Sequence, residues 1–110
     1  MSVHIEPSFS VTIYIGGDLH TARESLRREC IEDGLCVTLI PVTFVYTAGA
    51  EEGVAVGLIN YPRFPRTPDE IKARAIKVAE RLMRDLCQHS CSIATPLETV
   101  WINNRPEQAK

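Results

Sequence analysis

The sequence predicts an α+β domain of two layers, ordered β-α-β-β-α-β-β, with a mainly antiparallel sheet and both helices on one face. Three observations predict it. A strictly alternating run comes first, two helical-period runs bounded by capping residues follow, and two short strand-like runs around a Thr-Pro turn come last. Residues 1–110 read as a single domain, with 1–8 and 105–110 expected to be flexible.

Each element has its own local cause. Phe9, Val11, Ile13 and Ile15 alternate along the first strand, Phe9 to Gly16. Gly16-Gly17 breaks it, and Asp18 is a good N-cap for a helix whose stripe is Leu19, Ala22, Leu26 and Cys30, closed by Gly34. Leu35 to Tyr46 is β-branched and aromatic, with Pro41 marking an edge, bulge or bend. Thr47 to Gly53 reads as a polar hairpin loop and Val54 to Tyr61 as the return strand, in which Gly57 allows close approach of another group.

Thr67, Pro68 and Glu70 form a capping box with proline at the first helical position. The helix they open is expected to run from Pro68 to Gln88. Its main stripe is Ile71, Ala75, Val78, Leu82 and Leu86, and Ile76, Ala79 and Met83 add a second. That second stripe argues for a homo-oligomer, dimeric or higher, because one small sheet buries only one stripe well. Cys91 to Ala94 and Thr99 to Asn103 read as two short strands around a Thr95-Pro96 turn.

Composition narrows the function. A net charge of −2 gives no basic stripe for phosphates, so duplex nucleic acid is not an expected partner. No run approaches the roughly 18 apolar residues of a membrane span, and Met1 to Pro7 does not look like a signal peptide. Cys30, Cys36, Cys87 and Cys91 are therefore expected as free thiols in a reducing, cytoplasmic setting. Cys87-Gln-His-Ser-Cys91 could grip a metal if the helix continued through it, but lacks the tight pairs of structural zinc sites, so no metal is expected. Asp85 and His89 are i, i+4 neighbours, which reflects surface electrostatics more than a Cys-His nucleophile, and no catalytic residue or cofactor is assigned.

The stretch from Asn60 to Thr67 is the most suggestive feature. Its aromatics and prolines can stack a nucleobase, its arginines can fork onto phosphate, and it runs into a helix N-terminus. Its bland alternative is a proline-stiffened connector. On chemistry alone the candidate ligand-binding residues are Asn60, Arg63, Phe64 and Arg66 in this loop and Arg23 and Arg27 on the first helix. Asn103, Asn104 and Arg105 after the last strand complete the set.

Taken together, Gly34-Leu-Cys-Val-Thr38, Phe44-Val-Tyr-Thr47, Gly57-Leu-Ile-Asn-Tyr-Pro-Arg-Phe-Pro65 and Thr99-Val-Trp-Ile102 resemble the type-one Thoeris anti-defence proteins of phages and prophages. The likeness runs from about Tyr14 to Trp101. It implies a sponge, not an enzyme, that sequesters a cyclic ADP-ribose isomer in the bacterial cytoplasm, and also cyclic oligonucleotides in some members. It further implies a symmetric oligomer, up to a hexamer, with sites between subunits. Asn103-Asn104 departs from the basic character such proteins show after the tryptophan, which argues against the second ligand class. A small nucleotide-processing enzyme, a protein-binding inhibitor and a structural phage protein are the alternatives.

Overall fold

The computed structural model describes residues 1–105; the expected fraying of the tail falls, from residue 106 on, outside the described residues. The elements are β1 (Ser10–Gly16), α1 (Leu19–Asp33), β2 (Thr38–Tyr46), β3 (Gly49–Ile59), α2 (Pro68–Asp85), β4 (Ser90–Ala94) and β5 (Thr99–Asn103). They form one five-stranded sheet in the order β2-β3-β1-β4-β5, antiparallel throughout. The expected α+β arrangement is the observed one. β1 and β2 run parallel with β3 between them, the split β-α-β pattern, and β5 extends the sheet beyond β4.

The alternation along β1 sets the layers. Val11, Ile13 and Ile15 point to the helices and are almost fully buried, as are Val54, Val56 and Leu58 across the ladder. Ile71, Ala75, Val78 and Leu82 of α2 close over them. The opposite face carries Thr12, Tyr14, Ala55, Gly57, Ser92 and Trp101, and neither described helix packs on it. Gly57 is indeed a point of close approach: a Cβ there would lie 2.5 Å from Thr38 Oγ1.

Both helices begin at the expected caps. Asp18 accepts from Thr21 N at 2.9 Å, and Gly34 ends α1 in the left-handed region at φ 58°. Thr67 and Glu70 make a reciprocal capping box. Gly17, at φ 135°, lets the chain turn from β1 into α1 against Leu86, where a Cβ would meet the side chain at 3.0–3.1 Å.

Four expectations need correction. α2 ends at Asp85, not Gln88, because Cys87 takes φ 56° and Gln88 N turns back to Met83 O. Cys87 is therefore exposed past the helix while Cys91 is buried on β4, and the two do not share a helical face. The hairpin turn is only Thr47 and Ala48, since β2 and β3 stay paired to Tyr46↔Gly49. Finally, Ala79 and Met83 are buried within the chain, so the second stripe of α2 supplies no surplus face for a partner.

Candidate functional site

α1 and α2 are clamped by an ionic cluster whose end forms one wall of a hollow. Glu29 is only 2% exposed, yet its Oε1 meets Arg81 Nε at 2.7 Å and its Oε2 lies 3.7 Å from Lys77 Nζ. Arg81 also pairs with Glu32, and Ser25 Oγ donates to Asp85 at 2.7 Å. Lys77 pairs with Asp33 at 2.5 Å, which holds the Asp33 carboxyl below its ordinary range and lifts the Lys77 ammonium above its own. One turn earlier, Arg74 donates to the Asp33 carbonyl at 2.6 Å. The segment leaving α1, Gly34-Leu35-Cys36, is thus fixed to α2.

Beside that segment lies a hollow of about 470 Å³. Leu35, Leu58 and Ile71 line its apolar part, Tyr61 and Phe64 bring rings, and Arg63, Arg66 and Arg74 bring charge. Asn60 organises the loop that forms its rim. Its amide donates to Pro7 O at 2.8 Å, its side-chain oxygen accepts from Arg66 N at 2.9 Å, and its backbone N donates to Phe9 O. Arg63 lies over the Phe64 ring at 5.3 Å, and Arg66 reaches Glu70 at 3.8 Å. The neighbouring Cys36 thiol and partial burial raise the Tyr61 phenol above its ordinary value.

The residues singled out from the sequence fall into four places. Arg63, Phe64 and Arg66 line this hollow, whereas Asn60 lines a separate one beside the N-terminal segment, with Pro7, Phe9 and Thr67. Arg23 and Arg27 lie apart, along a separate trough of about 480 Å³ between α1 and β2. Asn103, Asn104 and Arg105 follow β5, where Asn104 N donates to His89 O and Arg105 N to Asn103 Oδ1. Leu35, Cys36, Tyr61 and Arg74 were not among the candidates. Arg74 carried a signal, since it is a cation nearly two turns into a helix that starts from the suggestive loop. Among the described residues no group of three or more His, Cys, Asp or Glu is placed to hold a metal. No described helix is long and apolar enough to cross a membrane.

No family model matches the chain, and no curated protein matches it. Two solved structures share its fold. A phage SAM lyase in the apo state superposes with a TM-score of 0.69 at 13% identity, covering 91% of this chain and 92% of that one. A phage SAM lyase in complex with S-methyl-5′-thioadenosine gives 0.66 at 12% identity, covering 94% and 95%. This likeness overturns two expectations, that of a cyclic-nucleotide sponge and that of a protein without catalysis. The chains that share this fold almost end to end are of an enzyme, and one of them is described with a thioether nucleoside bound, not a cyclic ADP-ribose isomer.

Proposed function

We propose that this chain is a lyase acting on S-adenosylmethionine and releasing S-methyl-5′-thioadenosine. The observation that carries the reading is the likeness over more than nine-tenths of both chains, including a neighbour with that nucleoside bound. The hollow at Tyr61 supports it chemically. A lyase consumes no water, so the electrons that displace the sulfonium must come from the substrate itself. The α-carboxylate can attack Cγ, forming a five-membered lactone as the Cγ–S pair leaves on sulfur. Net charge is conserved, and the step calls for no proton transfer. It therefore needs no nucleophile–base pair in the protein.

What the protein supplies is surroundings. The step merges a carboxylate and a sulfonium into two uncharged groups, so an apolar hollow favours the transition state over the charged reactant. Leu35, Leu58 and Ile71 provide that wall, and the rings of Tyr61 and Phe64 offer faces for adenine. Arg63 and Arg66 on the rim draw in the carboxylate. The guanidiniums also repel the sulfonium, a repulsion relieved as the sulfur becomes neutral. A cytoplasmic, phage-borne role in counter-defence belongs to the same proposal, since consuming the methyl donor disarms host modification.

The test is to incubate purified protein with S-adenosylmethionine and follow both halves by liquid chromatography and mass spectrometry. The expected result is S-methyl-5′-thioadenosine together with homoserine lactone, at a rate proportional to protein. Tyr61→Ala, which removes one of the ring faces offered to adenine, is expected to slow it, with the melting curve checked alongside. Release of the nucleoside no faster than in protein-free buffer overturns the proposal.

A further inference from the structure

We propose that Arg74 is the residue that receives the substrate's α-carboxylate at the inner wall of the hollow and aims it at Cγ. The inference rests on the lyase reading and goes past it, since that reading sets only the rim arginines, Arg63 and Arg66, on the carboxylate. The three guanidiniums that line the hollow are not equivalent. Arg63 and Arg66 stand exposed on the loop before α2. Each is already engaged: Arg63 lies over the Phe64 ring at 5.3 Å, and Arg66 reaches Glu70 at 3.8 Å. Charges as exposed as these are screened by water and hold a ligand loosely.

Arg74 differs in three respects. It is half-buried, one helical turn after Ile71, which is buried and lines the same hollow. Its side chain therefore starts from the inner wall, not from the rim. Its Nη2 is pinned to the Asp33 carbonyl at 2.6 Å, so the guanidinium is held in place before any ligand arrives. And among the described residues no carboxylate stands within ion-pair distance of it. The two acids whose carboxyls feel its charge have other partners. Asp33 pairs with Lys77 at 2.5 Å, and Glu70 caps Thr67 N at 3.0 Å while meeting Arg66.

A cation drawn partly out of water without a counter-charge is costly, and a carboxylate carried in by a ligand relieves that cost. A guanidinium has five N–H donors, so the bond to Asp33 leaves enough to engage a carboxylate. The cyclising step spends the carboxylate's charge: the Cγ–O bond forms, the Cγ–S bond breaks and its pair leaves on sulfur. A cation beside the carboxylate therefore favours the bound substrate over the transition state. What Arg74 contributes is affinity and aim, and its mark belongs in binding.

Two probes separate this role from a structural one. S-adenosylhomocysteine carries the amino-acid half with its carboxylate, and S-methyl-5′-thioadenosine lacks it. Neither holds a sulfonium to displace, so titration calorimetry reads both at equilibrium. The wild type is expected to bind both. Arg74→Met keeps the apolar length of the side chain and should weaken S-adenosylhomocysteine about tenfold or more, with S-methyl-5′-thioadenosine held within about twofold. Losing only the clip on Gly34-Leu35-Cys36 would instead weaken the two probes alike. Arg74→Lys, which keeps the charge without the fork, serves as a second variant should the first fold poorly, and should show the same selective loss to a smaller degree. Equal loss for both probes, no loss for S-adenosylhomocysteine, or a wild type that binds neither overturns the inference. Failure of the lyase reading shows separately, as absence of S-adenosylmethionine turnover by the wild type.

Discussion

Replacing Arg81 by methionine tests the clamp between the helices. The substitution keeps the length and apolar packing of the side chain and removes the guanidinium that Glu29 meets at 2.7 Å. Leaving one member of a buried pair without its partner costs about 3–5 kcal/mol. Lys77 Nζ, 3.7 Å from Glu29, compensates in part, and Arg81 is itself 16% exposed, which places the expected loss near the low end. At about 3 kcal/mol and a urea slope of about 2 kcal/mol per molar, the midpoint should fall by about 1.5 M. Changing Glu29 and Arg81 together to methionine removes both charges and should come within about 1 kcal/mol of wild type. Urea unfolding followed by circular dichroism measures all three proteins. If Arg81→Met loses less than about 1 kcal/mol, or the double variant is no better than the single one, the buried pair does not carry the energy assigned to it.

Thr67→Ala removes the cap that opens α2 and should cost about 1 kcal/mol, read from the urea midpoint. Gly17→Ala combines a φ of 135° with contacts of 3.0–3.1 Å to Leu86 and should cost about 2 kcal/mol or more by the same measurement. Backbone donation from Thr21 lowers the Asp18 carboxyl and backbone donation from Thr67 lowers that of Glu70, while Lys77 lowers Asp33, from ordinary values of 3.8, 4.5 and 3.8. Their contributions are complete above those values and should be lost as pH falls through the lower folded ones, whereas Lys77, raised above 10.5, loses its contribution as pH climbs. Urea midpoints measured across pH check both limbs. Cys36 and Cys87 are exposed and should react with a chromogenic disulfide within the native protein, while burial, which raises the Cys91 thiol, should delay Cys91 until unfolding.

Signals that act within a few residues were readable in the sequence. Asp18, Gly34 and the Thr67–Glu70 box mark helix ends because each satisfies a backbone group one turn away. The strand pairing at the tip of the β2–β3 hairpin was not readable, since Ala50, Glu51 and Glu52 have weak strand preference alone and are held extended by Val45, Phe44 and Thr43 across the ladder. Helix length was overread for a related reason: Leu86 continues the stripe, but the chain turns immediately after it. Buried Glu29 lies seven residues after Ala22 and three after Leu26, on the apolar stripe, so its position signalled burial even though its charge argued for solvent. Of the candidate site, the Arg63–Arg66 rim was visible as a local motif. Leu35, Cys36 and Arg74 reach it from other elements, a juxtaposition only the tertiary fold creates. The expectation of no catalysis rested on finding no nucleophile with a base, a criterion blind to reactions in which the substrate attacks itself.

The strand at the middle of the sheet, β1, precedes in the chain every strand it joins. β1 pairs with β3 some forty residues later and with β4 about eighty residues later. The β2–β3 hairpin closes over a short loop and can form early, whereas one side of β1 waits for nearly the whole chain. Until β4 emerges, an unpaired edge bearing Ile13 and Ile15 stays open, which is the kind of surface that nucleates intermolecular sheets. A nascent chain stalled before Ser90 would have both helices and a hairpin and still be aggregation-prone. Solubility on overproduction should therefore depend on how quickly the β4–β5 segment, Ser90 to Asn103, follows α2.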